Sequence, residues 1–331
     1  MIHFAIVGCG HIANKHMEAI QQTDGAVLAA LCDNNVNRLA TLGEKWQVPV
    51  FDSFTEMLQR EPGIDVVCIC TPSGLHTAQA IEAAEAGKHL VIEKPMTLTM
   101  EDADHIAQAV ARNGVKSTVV HPNRYRPAIS HLKAALEQGL LGKISHVNAT
   151  VRWNRNQAYY DQAPWRGTKA MDGGVLMNQA VHSLDLLLWL FGPVIGVKSW
   201  IDTRIRNIEA EDIAVAALKF SSGALGVVEA CTTVYDHNLE ESISVFGENG
   251  YVLIGGKTAN WIKEWKCAAM SEEDIARIIA DVEQDPFGVS GHQRIIEDMV
   301  ESLRNDSMPA ITIEDGKNAV KLVVDIVESG C

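Results

Sequence analysis

The sequence predicts a chain of two parts: an α/β domain with a doubly wound parallel sheet, then an α+β domain with an open, largely antiparallel sheet. Three observations support this prediction. The first third alternates short, nearly continuous apolar runs with segments of helical periodicity, which is typical of parallel strands covered on both faces. A glycine-rich turn follows the first apolar run. Beyond about residue 122 the chain shows β-type segments separated by turn signals.

The N-terminal domain is predicted to comprise residues 1–121. Its strands are expected over residues 2–7, 27–32, 49–51, 66–70, 89–92 and 116–120. Its helices are expected over residues 11–22, 36–45, 54–60, 77–86 and 100–113. This alternation indicates a parallel sheet with helices on both faces.

The second domain is predicted to comprise residues 122–331. Its strands are expected over residues 145–153, 213–220, 225–233 and 242–246, with turn signals at Ser222-Gly223 and Asn249-Gly250. Helices are expected near the C-terminus, over residues 293–304 and 316–329, with the option of packing back on the first domain.

The most informative motif is G-x-G-x-x-A at residues 8–13, which ends the first strand and opens the first helix. Gly8 permits a tight turn, Gly10 lets the backbone approach a pyrophosphate, and Ala13 keeps the helix close to the sheet. The second strand ends at Asp33, where an acid accepts hydrogen bonds from a ribose 2′-hydroxyl. This context predicts a dinucleotide site of the Rossmann type. The alternative is a βαβ unit whose glycines serve only as turn residues.

The acid at the end of the second strand also bears on the choice of cofactor. Asp33 favours NAD over NADP, since a carboxylate repels a 2′-phosphate. Arg38 lies one helical turn further on and offers a partner for a phosphate, which keeps NADP as the alternative. NAD is the expected cofactor.

Composition argues against several function classes. The chain has 331 residues and a formal net charge of −14, which disfavours nucleic acids and anionic membranes because these partners need clustered Lys and Arg. We expect no export signal and no membrane span, since no apolar run has the required length. The seven cysteines lack framework spacing, and Cys68-x-Cys70 is neither a redox nor a zinc motif. Reduced, buried thiols and a cytoplasmic location are therefore expected.

Two polar loops are predicted at the carboxyl edge of the parallel sheet, where open α/β folds bind ligands. Residues 71–76 are expected to line the cofactor crevice, although Thr71 or Ser73 capping the next helix is an alternative. Glu93-Lys94-Pro95 ends the next strand, and a partly desolvated Lys94 is suited to exchange a proton with a substrate hydroxyl. The alternative is a solvent-facing lysine in a turn. The Lys94–Pro95 bond is a candidate cis peptide.

A third polar pattern lies on an apolar helix that follows Gly173-Gly174. Asn178, His182 and Asp185 occupy positions i, i+4 and i+7 and form one polar stripe. Burying these side chains is costly unless they meet partners or a ligand. A stripe that is simply hydrogen-bonded in the core is the alternative. No metal is expected, because His182 and Asp185 have no convincing third and fourth ligand nearby.

Arginines and aromatic residues concentrate in residues 152–167 of this acidic chain. They include Arg152, Trp153, Arg155, Tyr159, Tyr160, Trp165 and Arg166. Such a concentration predicts a site for an anionic, ring-bearing ligand. Loop aromatics that pack on a partner subunit are the competing explanation.

Taken together, these residues resemble the Gfo/Idh/MocA family of sugar dehydrogenases over essentially the whole chain. The shared marks are the glycine turn, Thr71-Pro72 with His76, Glu93-Lys94-Pro95, Asn123-Arg124, Trp165-Arg166 and the glycine-led helix with His182 and Asp185. The resemblance implies that Lys94 is the acid/base beside the nicotinamide and that Asn178 and His182 are the polar pair of the helix. Many members have Asp where this chain has Asn178, which leaves that position a hydrogen-bonding role.

Within the family, the chain is most similar to bacterial dehydrogenases that oxidise C3 of UDP-N-acetylglucosaminuronic acid for surface-polysaccharide synthesis. The matching stretches are residues 154–161, 165–168 and 206–212. This similarity implies oxidation of a sugar secondary hydroxyl by NAD. Related members act on myo-inositol or free sugars, so a myo-inositol or free-sugar dehydrogenase is an alternative function. An NAD-dependent glycosidase without net NADH release and a non-catalytic NAD-binding regulator are alternatives from other classes.

These expectations assign residues to three roles. Lys94 and His182 are expected to transfer the proton, and Asp185 is expected to fix the tautomer of His182. The cofactor is expected on Gly8, Gly10, His11, Ile12, Asp33, Thr71, Pro72, His76, Glu93, Lys94, Trp165 and Arg166. The substrate is expected on Lys94, Asn123, Arg124, Arg155, Tyr160, Asn178, Gln179 and His182. The expected partners are a small sugar or nucleotide sugar and further copies of the chain, in a tetramer or dimer formed through the second domain.

Overall fold

The fold is that of a computed structural model, which describes residues 1–330. Those residues divide into two compact units. The first comprises Met1–Pro122 and Val289–Val320, and the second comprises Asn123–Gly288 and the described residues from Lys321 onward. The sequence predicted a boundary after residue 121, whereas the structure divides the chain after Pro122 and groups Val289–Val320 with the first unit.

A parallel sheet forms the centre of the first unit. Within residues 1–122 its strands are β1 (Ile2–Val7), β2 (Ala26–Cys32), β3 (Val50–Phe51), β4 (Val66–Ile69), β5 (His89–Ile92) and β6 (Ser117–Val119). They pair in parallel in the order β3-β2-β1-β4-β5-β6, which confirms the predicted doubly wound sheet. Phe4, Ala5 and Ile6 of the central strand are fully buried, because helices cover both faces of the sheet.

Helices connect these strands, and local sequence signals fix where most of them begin. They are α1 (Ala13–Gln22), α2 (Val36–Trp46), α3 (Phe54–Arg60), α4 (His76–Glu85) and α5 (Met100–Asn113). Asn35, Ser53 and Thr99 accept backbone hydrogen bonds at the starts of α2, α3 and α5. Ile12 precedes α1 and provides no such side-chain cap. The first amides of α1 therefore keep their capacity to bind an anion.

The second unit is built on an open sheet. Within residues 123–288 its helices are α6 (Pro127–Glu137), α7 (Gln157–Tyr160), α8 (Val181–Phe191) and α9 (Glu272–Gln284). Its strands are β7 (Ile144–Arg152), β8 (Val194–Asp202), β9 (Ile213–Phe220), β10 (Leu225–Cys231), β11 (Glu240–Gly247), β12 (Gly250–Gly255) and β13 (Trp261–Cys267). Their order is β13-β12-β11-β7-β10-β9-β8. β7 and β10 are parallel and the other neighbours antiparallel, which confirms the predicted open, largely antiparallel sheet.

Several elements of the second unit did not emerge from the sequence. Strands β8, β12 and β13 and helices α6, α7 and α9 were not predicted. The edge strands β8 and β13 bury few of their residues, so their sequences lack the apolar alternation of a half-buried strand. Helices α10 (Gly291–Asn305) and α11 (Ile313–Ser329) begin two and three residues earlier than predicted.

The two faces of this sheet differ in exposure. Val147, Ala149 and Val151 of β7 are buried on one face. On the other, the exposed apolar side chains are Trp200, Val215, Leu225 and Val227, and Trp200 is 79% exposed. We call this second surface the open face. Its alternation with the buried face is typical of an antiparallel sheet packed on one side.

The described residues also bear on the expectations about cysteines and membranes. The six cysteines among residues 1–330 are free and buried, and Cys68 and Cys70 lie in the core as predicted. Burial raises the pKa of Cys9 and of Cys32 to about 12, so both thiols are protonated and inert at neutral pH. Every helix within residues 1–330 is too short or too polar to span a membrane.

Candidate active site

The turn after β1 requires glycine at its first position. Gly8 has φ +87°, and a Cβ there would lie 2.6 Å from the backbone nitrogen of Thr71. The same Cβ would lie 2.7 Å from the carbonyl carbon of Cys70. Both the backbone conformation and the close approach of the neighbouring loop therefore exclude a larger residue.

Gly10 is explained differently. A Cβ at this position would meet no atom of the described residues within 4 Å, so packing within residues 1–330 does not require glycine. His11 and Ile12 complete the turn, and α1 begins at Ala13. The accessible backbone and the uncapped start of α1 together fit a pyrophosphate seated against this turn.

Asp33 is held in place at the end of β2. It is 7% exposed, and its carboxylate accepts hydrogen bonds from the backbone nitrogens of Cys9 at 2.7 Å and Asn35 at 2.8 Å. Arg38 Nη1 donates to the same carboxylate at 3.0 Å. The carboxylate is thus fixed beside the glycine turn, where further acceptor capacity suits ribose hydroxyls. Arg38, the expected alternative partner for a phosphate, is paired with Asp33.

Three loops of the first unit meet at one edge of its sheet. Because β1, β4 and β5 are neighbouring parallel strands, the glycine turn, residues 71–76 and Glu93-Lys94-Pro95 all lie along its carboxyl edge. Lys94 is half-buried there. The Lys94–Pro95 peptide bond is cis, which confirms the candidate named from the sequence. The predicted cofactor loops and the predicted acid/base lysine therefore belong to one surface of the first unit.

Glu93 uses its carboxylate within the protein. It is 5% exposed, its Oε1 accepts a hydrogen bond from His16 Nε2 at 2.8 Å, and His292 Nε2 lies 3.4 Å from the same oxygen. Its Oε2 accepts from the backbone nitrogen of Lys94 at 3.1 Å. Burial acts to raise the pKa of Glu93, but the hydrogen bonds and charge of the two histidines outweigh it and hold that pKa well below its ordinary value. The structure thus gives Glu93 protein partners, and its contact with the cofactor stays a prediction.

His76 is likewise engaged by the protein. It is buried, with Nδ1 2.9 Å from the carbonyl oxygen of Pro95 and Nε2 2.9 Å from that of Thr71. Burial lowers the pKa of His76 against the opposing effect of these two carbonyls. The ring therefore ties the Thr71 loop to the turn that follows Lys94. Pro72 precedes a short 3-10 segment at Ser73–Leu75, and the Thr71 hydroxyl donates to Gln79 rather than capping a helix.

A cluster of metal-binding residue types occurs away from the predicted stripe. Among residues 1–330, His16, Glu93 and His292 form the group that is compact enough to hold an ion. The 2.8 Å separation of His16 Nε2 from Glu93 Oε1 is that of an N–H···O hydrogen bond. Hydrogen bonding therefore links His16 to Glu93 within the cluster.

The helix predicted after Gly173-Gly174 begins against a half-buried acid, Glu211. A Cβ on Gly174 would overlap the Glu211 carboxylate, and Glu211 Oε1 accepts from the backbone nitrogen of Leu176 at 3.0 Å. Burial raises the pKa of Glu211. Gly174 thus leaves room for the Glu211 side chain at the start of the helix.

The polar stripe does not lie on one regular α-helix. Residues Leu176–Ala180 form a π-helical segment before α8, and such segments are frequent at functional sites. Asn178 Nδ2 donates to Asp172, Gln179 is buried, and His182 is half-buried on α8. The π segment changes the direction in which Asn178 and Gln179 project relative to His182.

Asp185 and Arg124 form a buried ion pair. Arg124 Nε and Nη2 donate to the two carboxylate oxygens of Asp185 at 2.9 and 2.6 Å, and both side chains are nearly inaccessible. The guanidinium also lies 5.3 Å from the ring centre of Trp189. Arg124, expected to bind an anionic substrate, therefore has its charge compensated by protein. Asn123, also expected at the substrate, donates to buried Glu241 at 3.3 Å.

The arginine and aromatic residues form a stacked cluster. Arg155 lies 5.1 Å from the ring centre of Trp153 and 5.2 Å from that of Tyr159. Arg166 lies 4.3 Å from the Tyr159 ring centre and 4.6 Å from that of Trp165. Within residues 1–330, neither arginine has an acidic side chain within 4.0 Å, unlike Arg124. Two arginine charges are therefore held in place by aromatic faces without a neutralising carboxylate.

Tyr160 is buried, whereas its neighbour Tyr159 lies in the arginine cluster. It is 6% exposed, and its hydroxyl donates to Thr232 Oγ1 at 3.2 Å. Burial raises the pKa of Tyr160. The structure gives this predicted substrate ligand a partner in the core of the second unit.

The sequence did not reveal the partners of Glu93. His16 lies on the buried side of α1, so a histidine among apolar neighbours was an available signal. His292 follows Glu93 by about 200 residues and has no local signal. Only the tertiary structure brings these three side chains together.

Family models match both parts of the chain. Residues 2–121 match the oxidoreductase family, NAD-binding Rossmann fold, of the Gfo/Idh/MocA group. Residues 129–253 match the Gfo/Idh/MocA C-terminal domain. A curated relative, the myo-inositol 2-dehydrogenase of Thermotoga maritima, is 25% identical over 97% of this chain and 94% of its own length.

Two solved structures match nearly the whole chain. The WlbA dehydrogenase from Bordetella pertussis, in complex with NADH and UDP-GlcNAcA, has a TM-score of 0.94 and 39% identity, and the match covers 99% of this chain and 95% of that one. The WlbA dehydrogenase from Chromobacterium violaceum, with the same ligands, has a TM-score of 0.94 and 37% identity, covering 99% and 93%. The chain belongs to the Gfo/Idh/MocA family of NAD-binding oxidoreductases.

Proposed function

We propose that this oxidoreductase is an NAD-dependent dehydrogenase that oxidises the C3 hydroxyl of UDP-N-acetylglucosaminuronic acid. The observation that carries the proposal is the similarity to two dehydrogenases solved with NADH and UDP-GlcNAcA, at 39% and 37% identity over 99% of the chain. Such a reaction needs residues that bind the cofactor and a base beside it. The glycine turn and Asp33 are proposed for the first role, and the turn Glu93-Lys94-Pro95, here called the lysine turn, for the second.

Lys94 is the proposed acceptor of the hydroxyl proton. Bound NAD⁺ supplies the acceptor for the hydride. Lys94 is half-buried at the carboxyl edge of the sheet, on the same edge as the glycine turn. The neutral amine of a lysine is the form that takes up a proton from a hydroxyl.

The polar residues of the π segment and α8 are proposed to handle the sugar. His182 shares or relays the proton, and Asn178 and Gln179 orient the hydroxyls of the ring. Asn178 has no titratable group, so its role is hydrogen bonding. Gln179 is buried, which suits it to bind one hydroxyl away from bulk water.

The stacked arginines are the proposed anion ligands. The substrate class carries a carboxylate and a diphosphate, and arginine matches both groups with paired donors. Arg155 is assigned to the substrate and Arg166, with Trp165, to the cofactor. Their charges lack a carboxylate partner within the described residues, whereas the charge of Arg124 is already balanced by Asp185.

Nicotinamide absorbance during turnover tests the proposal. Purified protein is supplied with NAD⁺ and, separately, UDP-N-acetylglucosaminuronate, UDP-N-acetylglucosamine, myo-inositol or glucose. A 2-oxo acid is included in parallel to reoxidise any retained NADH. Turnover on the UDP-uronate alone supports the proposal. Inactivity on it, with activity on a free sugar, refutes the nucleotide-sugar assignment.

A free-polyol dehydrogenase is the second candidate. It is favoured by the similarity to myo-inositol 2-dehydrogenase over 97% of the chain. NADH formed from myo-inositol but not from a UDP-sugar supports this candidate. If no substrate yields NADH while NAD still binds, the result favours an NAD-dependent glycosidase or a non-catalytic NAD-binding regulator. Cleavage of a glycoside without net NADH then separates these two.

We also propose that the chain self-associates through its open face. Trp200 is 79% and Leu225 56% exposed on one continuous sheet surface, and apolar patches of this kind mark interaction sites. A dimer or tetramer is expected by light scattering, and Trp200→Asp should reduce its mass to that of the monomer. An unchanged mass would refute this interface. The cytoplasmic location and the role in polysaccharide synthesis stay predictions.

A further inference from the structure

Two buried histidines converge on the carboxylate that precedes Lys94. His16 is 1%, Glu93 5% and His292 6% exposed. Both Nε2 atoms face Glu93 Oε1, at 2.8 and 3.4 Å. The two rings lie edge to face, with their centres 5.3 Å apart. This histidine–glutamate triad joins α1 and α10 to the end of β5.

The triad reaches Lys94 through the backbone. Glu93 Oε2 accepts from the backbone nitrogen of Lys94 at 3.1 Å. On the other side, the Pro95 carbonyl oxygen lies 2.9 Å from His76 Nδ1. The main chain of Lys94 is therefore held from both directions by side chains that are themselves buried. Such bracing fixes the position and direction from which the Lys94 side chain leaves the main chain.

Burial of an ion is an expensive way to stabilise a fold. Replacing buried ionic groups by apolar ones of similar volume is often neutral or stabilising. Here the two histidines favour the carboxylate form of Glu93, because they lower its pKa against the opposing effect of burial. One ionised oxygen is thereby left to accept from the amide of Lys94. Packing alone does not explain this arrangement.

We propose that His16, Glu93 and His292 are positioning residues that fix Lys94 for proton transfer. The inference rests on the proposed role of Lys94. The triad is placed to act on the turnover of bound substrate through Glu93, whose Oε2 accepts from the amide of Lys94. His292 lies on α10, whereas His16 lies on α1, the helix that follows the glycine turn. A loosened Lys94 turn should therefore lower kcat while leaving NAD binding nearly unchanged.

The test compares two substitutions at one position. His292→Leu removes the donor to Glu93, whereas His292→Gln keeps an N–H donor at similar reach. We expect His292→Leu to lower kcat about 10- to 100-fold, with a change in the NAD dissociation constant of less than about threefold. His292→Gln should recover most of kcat. His16→Leu and His16→Gln provide a second comparison of the same kind. Glu93→Gln should lower kcat as His292→Leu does.

A matched control separates positioning from loss of stability. Lys88 is 9% exposed, and its Nζ donates to the carbonyl oxygens of Pro62 and Ile64, both at 2.9 Å. Lys88→Met should lower the unfolding midpoint without changing kcat. If a folded His292→Leu enzyme keeps its kcat, or if His292→Gln recovers nothing, the proposal is overturned.

Two further measurements complete the test. Lys94→Ala should abolish turnover. If it does not, the proposed role of Lys94 is refuted, and the positioning role of the triad is refuted with it. If Lys94→Ala is inactive but the triad variants keep full kcat, only the positioning role fails. Stoichiometric zinc in the wild-type protein that disappears in His292→Leu would show a metal site and overturn the hydrogen-bonded triad.

Discussion

Removal of the Asp33 carboxylate should reduce or reverse the ratio by which the protein binds NAD more tightly than NADP. In Asp33→Ala, the backbone nitrogens of Cys9 and Asn35 lose an acceptor that lies 2.7 and 2.8 Å away. Arg38 loses its partner at 3.0 Å. The adenosine ribose loses its expected acceptor, while the released guanidinium becomes available to a 2′-phosphate.

The magnitudes follow from these contacts. A hydrogen bond to a charged group contributes about 1.5–3 kcal/mol, so the NAD dissociation constant should rise about 10- to 150-fold. NADP should lose much less affinity and can gain some, because repulsion by the carboxylate disappears. The free energy of unfolding should fall by about 1–3 kcal/mol, since two backbone donors lose a charged acceptor.

Titration of both cofactors against each variant provides the assay. Asp52→Ala is the matched control, because this exposed acid lies in the same unit and its removal changes the net charge equally. It should leave the ratio of NAD to NADP affinity within about twofold. A folded Asp33→Ala protein whose NAD affinity falls by less than about threefold would contradict the role of this carboxylate.

Three further predictions concern the turn, the buried ion pair and the arginine cluster. Gly8→Ala should lower the thermal midpoint and abolish NAD binding in calorimetry, because its methyl group would lie 2.6 Å from the Thr71 nitrogen; normal binding would contradict this. Asp185→Ala should reduce the free energy of unfolding by about 3–5 kcal/mol in urea titrations, since the buried Arg124 guanidinium loses both hydrogen bonds to this carboxylate; a loss below about 1 kcal/mol would refute it. Arg155→Ala should raise the KM for the UDP-uronate about tenfold or more with little change in kcat; an unchanged KM would remove Arg155 from the substrate site.

Much of the first unit could be predicted because its determinants are local. The apolar strands, the glycine turn and Asp33 follow one another within residues 2–33, and each has a fixed meaning in a βαβ unit. The second unit was harder. β7 pairs in parallel with β10 across a long connection, and its edge strands are too exposed to show a clear pattern.

The candidate site was predicted in composition but not in detail. Lys94 and the loops around it could be found from motifs at strand ends. The contacts of Glu93 and Arg124 could not, because His292 and Asp185 are distant in sequence. The hydrogen-bond partner of a polar side chain near a predicted site is either a ligand or a protein group that is distant in sequence. Sequence periodicity does not distinguish them.

The central claim is oxidation of a nucleotide sugar at C3, with hydride transfer to NAD⁺. The most direct test uses UDP-N-acetylglucosaminuronate labelled with deuterium at C3, mixed with enzyme and NAD⁺ in a single turnover. Mass spectrometry of the recovered cofactor should show deuterium in the nicotinamide ring and a 3-keto sugar nucleotide as product. An unlabelled cofactor with deuterium still at C3 would contradict the assignment.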